Sequence, residues 1–335
     1  MPLADPHVWG KMQQSIPFDS AFGTRFSVSV DTEEEFDWAG TLARGAHSTV
    51  SASALGEGQS FFHAAGVTPL YYTDYPIAMC DAAVDALGPA VASGAADIGA
   101  HLHPWVTPPF TEKVNRYNSY AGNLDASTER AKICAVRDVI RQRFGITPVA
   151  YRAGRYGVGQ NTHAILIEQG FRVDSSLRPL FDYRDDGGPD FRRTTVHAHW
   201  VDAGKKLIEL PLSANYLGWG GGMKPFVFDR LRASGTLRAI AARMRLVERV
   251  PLTPEGTPIA RACAMIDHAL DHGVRLLSLS FHSPSLAPGY TPYVRDTGDL
   301  AAFYGWFDAV FNHLARRGVA NARLDDIIAA SDRAG

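Results

Sequence analysis

Strand-like and helix-like segments alternate along almost all of the 335 residues, and that rhythm confines the chain to βαβ units and a mostly parallel sheet. Short apolar runs at 25–30, 68–73, 96–100, 148–151, 171–176, 207–211 and 275–281 read as strands. Amphipathic patterns at 58–65, 77–92, 127–144, 161–169, 228–245, 258–272 and 300–317 read as helices, with Gly145 as a stop signal after the third. Residues 1–24 carry Pro2, Pro6, Gly10, Pro17 and Gly23 without a sustained period and read as an irregular lead-in. The stretch 178–205 reads as an irregular insertion that contains one alternating strand at 194–201. One barrel domain over 25–330 is the simplest organisation that this length allows.

In such a barrel the chemistry sits at the carboxyl ends of the strands. Five strand ends here carry polar groups: the acidic run from Asp31 to Asp37, His101-Leu-His103, Arg152, Asp174 and His282. In extended backbone alternate side chains share a face, so His101 and His103 can converge on one ion, and Pro104 keeps the residue before it extended. Five carboxylates within Asp31 to Asp37 repel one another; a solvated acidic loop is the plain reading, and a bound cation would remove the repulsion. A divalent ion held by a carboxylate and two imidazoles, with one position left for water, suits hydrolysis. A second carboxylate could take the water's proton, a separate histidine could protonate a leaving amine, and Arg152 beside a carboxylate would orient it. The loop 106–125, with Trp105 just before it and Phe110, Tyr117 and Tyr120 inside it, has the composition of a binding wall for sugar faces. A second His-x-His, His197 and His199, is accounted for by strand alternation.

Composition excludes several classes of partner. Net charge is −2 with 20% charged residues, which leaves no basic footprint for nucleic acid or for an anionic membrane. Cys80, Cys134 and Cys263 are scattered singly on helix-like segments, against a disulfide framework or a Cys-rich zinc site. The first residues lack the basic start and apolar run of a secretory signal, and no stretch approaches about 20 apolar residues. A soluble cytoplasmic protein is therefore expected.

Five short motifs also agree, in order, with one family. Val-Asp31-Thr-Glu33 stands where that family has Thr-Phe-Asp-Asp, and His101-Leu-His103-Pro where it has His-(Ser/Thr)-x-x-His-Pro. Tyr-Arg152-Ala-Gly-Arg-Tyr156 corresponds to Arg-x-Pro-Tyr, Val-Asp174-Ser-Ser to Asp-x-x-Asp/Ser-x, and Leu279-Ser-Phe-His282 to Leu-x-x-His. Over about 25–320 the chain thus resembles polysaccharide deacetylases of the carbohydrate esterase type, with the nodulation-deacetylase homology domain, including relatives from polysaccharide biosynthesis loci. The resemblance implies a deformed (β/α)7 barrel that removes acetyl groups from an acetylated amino sugar or a polysaccharide or lipopolysaccharide precursor. It implies a divalent metal, Zn²⁺ by preference, on Glu33, His101 and His103, with Asp31 as base, His282 as acid and Arg152 and Asp174 beside them. Trp105, Tyr120 and Tyr156 are then expected to contact the glycan.

Three departures shape these expectations. The adjacent Asp-Asp pair is here Asp31-x-Glu33, so either carboxylate can be base or ligand. The histidines are two apart rather than four, which demands a shortened turn; otherwise Trp105 occupies the second ligand's place. Gly154 and Arg155 replace the usual Pro-Tyr neighbourhood and reshape the wall near Tyr156. Two alternatives stay open: a hydrolase of another C–N bond, such as a cyclic amide, on the same barrel, and a catalytically silent carbohydrate binder, which would need none of Asp31, Arg152 and His282.

Overall fold

The computed structural model describes residues 14–36, 40, 42–45, 47–218 and 248–335. The expected helix at 228–245, most of the glycine-rich turn 218–222, most of the lead-in, and Asp37 lie outside the described residues.

Seven parallel strands form the body of a deformed (β/α) barrel. In chain order the strands are β1 (Gln14–Ser15), β2 (Arg25–Thr32), β3 (Leu70–Thr73), β4 (Asp97–Leu102), β5 (Ala150–Ala153), β6 (Val173–Asp174), β7 (His199–Trp200), β8 (Ile208–Glu209), β9 (Ala214–Leu217), β10 (Glu248–Pro251), β11 (Leu276–His282) and β12 (Ala320–Asn321). The parallel set runs β8, β6, β5, β4, β3, β2, β11. Antiparallel β7 and β1 extend it beyond β8, so part of the expected lead-in is an edge strand. Between β8 and β11 the circle is bridged by irregular chain: Ser213 N donates to Ser278 O (3.1 Å) and Ser280 N to Leu252 O (3.2 Å).

Alternation along each strand builds two cores. Val28, Val30, Tyr151 and Leu279 face the surrounding helices, while Leu70, Tyr72, Ala150, Val173, Ile208 and Leu276 fill the barrel's lower interior. A final helix that the sequence pattern did not reveal, Leu324–Ala334, plugs that end with Leu324, Ile327 and Ala330. Asp97 Oδ2 accepts its first backbone N–H, from Leu324, at 2.8 Å.

The helices follow the expected rhythm with local revisions. The pattern 77–92 is two helices, Tyr75–Met79 and Asp81–Ser93, because Cys80 between them is extended (φ −80°, ψ 116°). The expected strand 171–176 keeps only Val173–Asp174 in the sheet, and 194–201 only His199–Trp200. The remaining helices are Leu55–Ala64, Ala126–Phe144, Thr162–Glu168, Ile259–Asp271 and Thr297–Arg316. Among the described residues, no helix is long and apolar enough to cross a membrane.

The aromatic loop after β4 is held from beneath by one buried cation. Lys132, on helix Ala126–Phe144, has no solvent exposure and donates to the carbonyls of Pro104 (2.9 Å), Thr107 (2.6 Å) and Pro109 (2.8 Å). Glu112 pairs with it at 3.0 Å. Replacing Lys132 with Met strands these acceptors in an apolar site, a loss on the order of 3 kcal/mol for a broken buried pair. The variant should melt several degrees lower in a calorimetric scan, and proteolysis should begin within 104–112; an unchanged melting point would show that the loop holds without the anchor.

Candidate active site and metal centre

Register brings the distant strand ends together. His282 is the cross-strand neighbour of Asp31, Tyr72 lies across from Asp31 on the other side, and His101 pairs with Arg152. These ends open into a cavity of about 640 Å³ whose lining includes Asp31, Glu33, His101, His103, Tyr120, Tyr156, Glu255 and His282.

Arg152 lies beneath the cavity floor, fully buried, and donates to an oxygen of Asp31, to Ser29 Oγ (2.9 Å), and to Ser175 Oγ and O (2.9 Å each). Burial alone would push the Asp31 carboxyl upward, but the guanidinium holds it below the ordinary carboxylate range. The other Asp31 oxygen faces His282 Nε2 at 3.8 Å. His282 is gripped from behind by a residue outside every sequence motif: Glu255 Oε2 accepts from Nδ1 at 2.7 Å. Ser285 Oγ and the His282 backbone N–H fix the other Glu255 oxygen, at 2.6 and 3.1 Å. Burial works against a charged imidazole here, yet Glu255 and Asp31 raise the His282 pKa above its ordinary value. Glu255 rides on the turn after β10, Thr253-Pro-Glu-Gly256, and that turn signal was its only trace in the sequence.

Glu33, His101 and His103 converge. Glu33 Oε2 lies 3.3 Å from His101 Nε2 and 3.4 Å from His103 Nε2, and all three residues are buried. Two donors about 2.0–2.1 Å from one tetrahedral ion are about 3.4 Å apart, so these separations fit a shared cation. The imidazoles are oriented for it: His101 Nδ1 contacts the Arg152 carbonyl at 3.1 Å and His103 Nδ1 the Glu34 carboxylate at 2.8 Å, which leaves both Nε2 lone pairs facing Glu33. His101 Nε2 is buried with no hydrogen-bond partner. Burial keeps both rings neutral, driving His101 far down and His103 to about 4. Burial, together with Asp31, Glu34, Asp74 and Glu255, forces the Glu33 carboxyl well up, a cost that a cation would lift. Glu34 and Asp74, behind His103, were not singled out from sequence; Glu34 N donates to Asp74 Oδ2 at 2.9 Å.

Two expected site residues lie elsewhere. Asp174 does not reach the cavity: Val173 belongs to the barrel's inner core, so alternation sends Asp174 to the outer face, where it meets His163 at 3.2 Å. Trp105 is 2% exposed and does not line the cavity; the turn Pro104–Val106 folds it behind His103, on whose ring it stacks at 4.2 Å. It supports a histidine instead of offering a face to a glycan. Tyr120 and Tyr156 do line the cavity. Arg155 and Tyr156 adopt left-handed backbone (φ 54° and 59°), a conformation costly for non-glycine residues and characteristic of functional turns. Of the second His-x-His, His199 is buried and bonded through Nδ1 to the His197 carbonyl.

No protein-family model matches this chain, and no curated protein does. Solved structures do. A Mycobacterium smegmatis protein named as a polysaccharide deacetylase superposes with a TM-score of 0.54 at 18% identity, covering 96% of each chain. A Pseudomonas aeruginosa PAO1 protein, likewise named as a polysaccharide deacetylase, gives 0.55 at 14% identity over 98% of this chain and 97% of its own. The 4-alpha-glucanotransferase of Thermococcus litoralis gives 0.51 at 11% identity, over 92% of this chain and 40% of its own. The chain therefore has the polysaccharide deacetylase fold, a fold that also carries other chemistry.

Gly154 shows how tightly the site is built, because a Cβ there would stand 2.2 Å from His103 Cδ2. Gly154→Ala should push the His103 ring aside and weaken Zn²⁺ binding about 10- to 100-fold in a chelator competition. Unchanged affinity in a folded variant would remove His103 from the ligand set.

Proposed function

We propose that the protein is a metal-dependent hydrolase that removes N-acetyl groups from an acetylated amino sugar, free or within a glycan or its precursor. The observation that carries this reading is the pairing, across one cavity, of the Glu33–His101–His103 cradle with the Arg152–Asp31···His282–Glu255 chain. An ion bound in the cradle, Zn²⁺ by the donor set of one carboxylate and two neutral imidazoles, supplies Lewis acidity that activates water and polarises an acyl oxygen.

The protein's own groups then divide the protons. Asp31 is the base, since Arg152 keeps it ionised and takes one of its oxygens, while Glu33 faces both imidazoles and is the ligand. His282 is the acid: Glu255 stabilises its protonated form, and Nε2 projects toward Asp31 and the cavity. Water adds to the acetyl carbon with its proton passing to Asp31, and the C–N bond breaks as His282 delivers a proton to nitrogen, giving acetate and a free amine. An amine departs poorly without that proton, whereas an alcohol leaves more readily, so a histidine held protonated favours amide over ester substrates. Of the tyrosines along the wall, the half-buried Tyr183 has ring surface left for stacking against a sugar, while Tyr120 and Tyr156 are buried under the guanidinium groups of Arg155 and Arg178 and shape the wall from behind.

His282→Ala tests the reading directly: kcat for acetate release from N-acetylated sugars should fall by about 10²- to 10⁴-fold while bound metal stays at the wild-type level. Full turnover in that variant would remove His282 from the mechanism and most of the deacetylase case with it.

The pH profile offers a second check. Activity needs His282 protonated, so the rate falls as pH rises through its raised pKa, and the alkaline limb lies above the ordinary imidazole range. Glu255→Gln removes the negative charge that raises it, so the alkaline limb of kcat should move to lower pH while the acid limb, set by Asp31, stays in place. A limb that does not move would mean that Glu255 only braces the loop.

A further inference from the structure

The outer face of the sheet carries a second donor cluster with no part in the chemistry above. Asp174 on β6 and Glu209 on β8 are cross-strand neighbours, both fully buried, and His163 of helix Thr162–Glu168 reaches down onto them. His163 Nε2 lies 3.2 Å from Asp174 Oδ2 and 4.0 Å from Glu209 Oε2, and the three donor atoms lie within 4.8 Å of one another. Each carboxylate is anchored through its other oxygen, Asp174 by Ser176 Oγ and Glu209 by the Leu177 N–H at 2.9 Å. What remains is one oxygen of each aimed at the imidazole, and Glu209 Oε2 is buried without a hydrogen-bond donor.

Two buried carboxylates side by side need either a shared proton or a cation between them. The geometry favours the cation. Carboxylates pinned by neighbours from behind, with one oxygen of each turned toward an imidazole nitrogen, form the outer-shell pattern of a metal site. One nitrogen and two oxygens suit zinc and similar divalent ions. The His163 side chain is 19% exposed, so an ion has a route in from solvent.

We propose that His163, Asp174 and Glu209 form a second divalent-cation site, separate from Glu33, His101 and His103 and on the opposite face of the sheet. Its role is structural. Strands β6 and β8 each pair over only two residues, and an ion bound there ties both to the overlying helix where backbone bonding is thinnest. None of its three residues lines the cavity that holds Asp31 and His282, and its occupancy does not depend on the deacetylase reading.

The experiment is a count of ions. Metal-stripped protein is titrated with Zn²⁺ and, for its visible spectrum, with Co²⁺, and bound equivalents are read by elemental analysis after gel filtration. Wild type should hold two equivalents. His163→Ala and Glu209→Gln should each hold one, and His101→Ala should also hold one, which stays in place when Glu209 is intact and disappears in the His101→Ala/Glu209→Gln double variant. Metal should raise the melting temperature of His101→Ala but not of the double variant. A His101→Ala protein that binds no ion, or a Glu209→Gln protein that still holds two, would overturn the second site, and the first of these outcomes would leave the catalytic cradle standing. Should Glu209→Gln fail to fold, the partly exposed His163→Ala decides the matter by the same count.

Discussion

A single buried guanidinium organises the upper barrel. Arg152 has no exposure, and an arginine in that position is tolerated only when its charge is paired and its N–H groups are satisfied. The barrel supplies Asp31, Ser29, the hydroxyl and carbonyl of Ser175, and the Tyr72 ring 4.3 Å beneath the cation. These partners come from three segments other than the arginine's own strand, so the ion pair fixes the spacing of β2, β3 and β5 and of the chain leaving β6. It also explains the small inward residues: Ser29 and Ser175 stand where a larger apolar side chain would fill the space of the arginine. Because one Asp31 oxygen is committed to Arg152, the other is left for the His282 side, and Glu33 is the carboxylate that meets the imidazoles.

The overall architecture was legible because its signal is repeated. Alternating strand and helix patterns recur around the barrel, and an error in one boundary does not change the sum. What blurred were elements held by few local contacts. The strand at 171–176 shrinks to two paired residues, and the helix expected at 77–92 breaks at Cys80, where Asp74 caps a separate short turn through Ile77 N at 2.8 Å. The last helix escaped notice since its packing partners, Leu70, Tyr72 and Leu276, are far away in sequence.

In the site, residues on the inward parity of regular strands were readable: Asp31, His101, Arg152 and His282 all meet in or under the cavity. Asp174 shares their position at a strand end but not their parity, and one residue of offset carries a side chain through the sheet to the other face. Trp105 was misjudged for a different reason. An aromatic beside a histidine pair has the same composition whether it faces a sugar or backs a ligand, and only the turn that follows Pro104 decides. Glu255 and Asp74 were invisible because they act through space from loops, while Glu34 was hidden inside an acidic run whose charges read as mere repulsion.

If the proposed activity holds, the position of Glu255 has a consequence for how a protein of this kind can diverge. The proton affinity of His282 is set from a turn that belongs to the excursion beyond β9 and β10, not to the strand that bears the histidine. Insertions, deletions and drift in that excursion can therefore retune the working pH while every strand-end residue stays as it is. Acid strength and the reacting core are inherited on separate pieces of chain, so selection for a more acidic or more alkaline habitat can act on one without passing through inactive forms of the other.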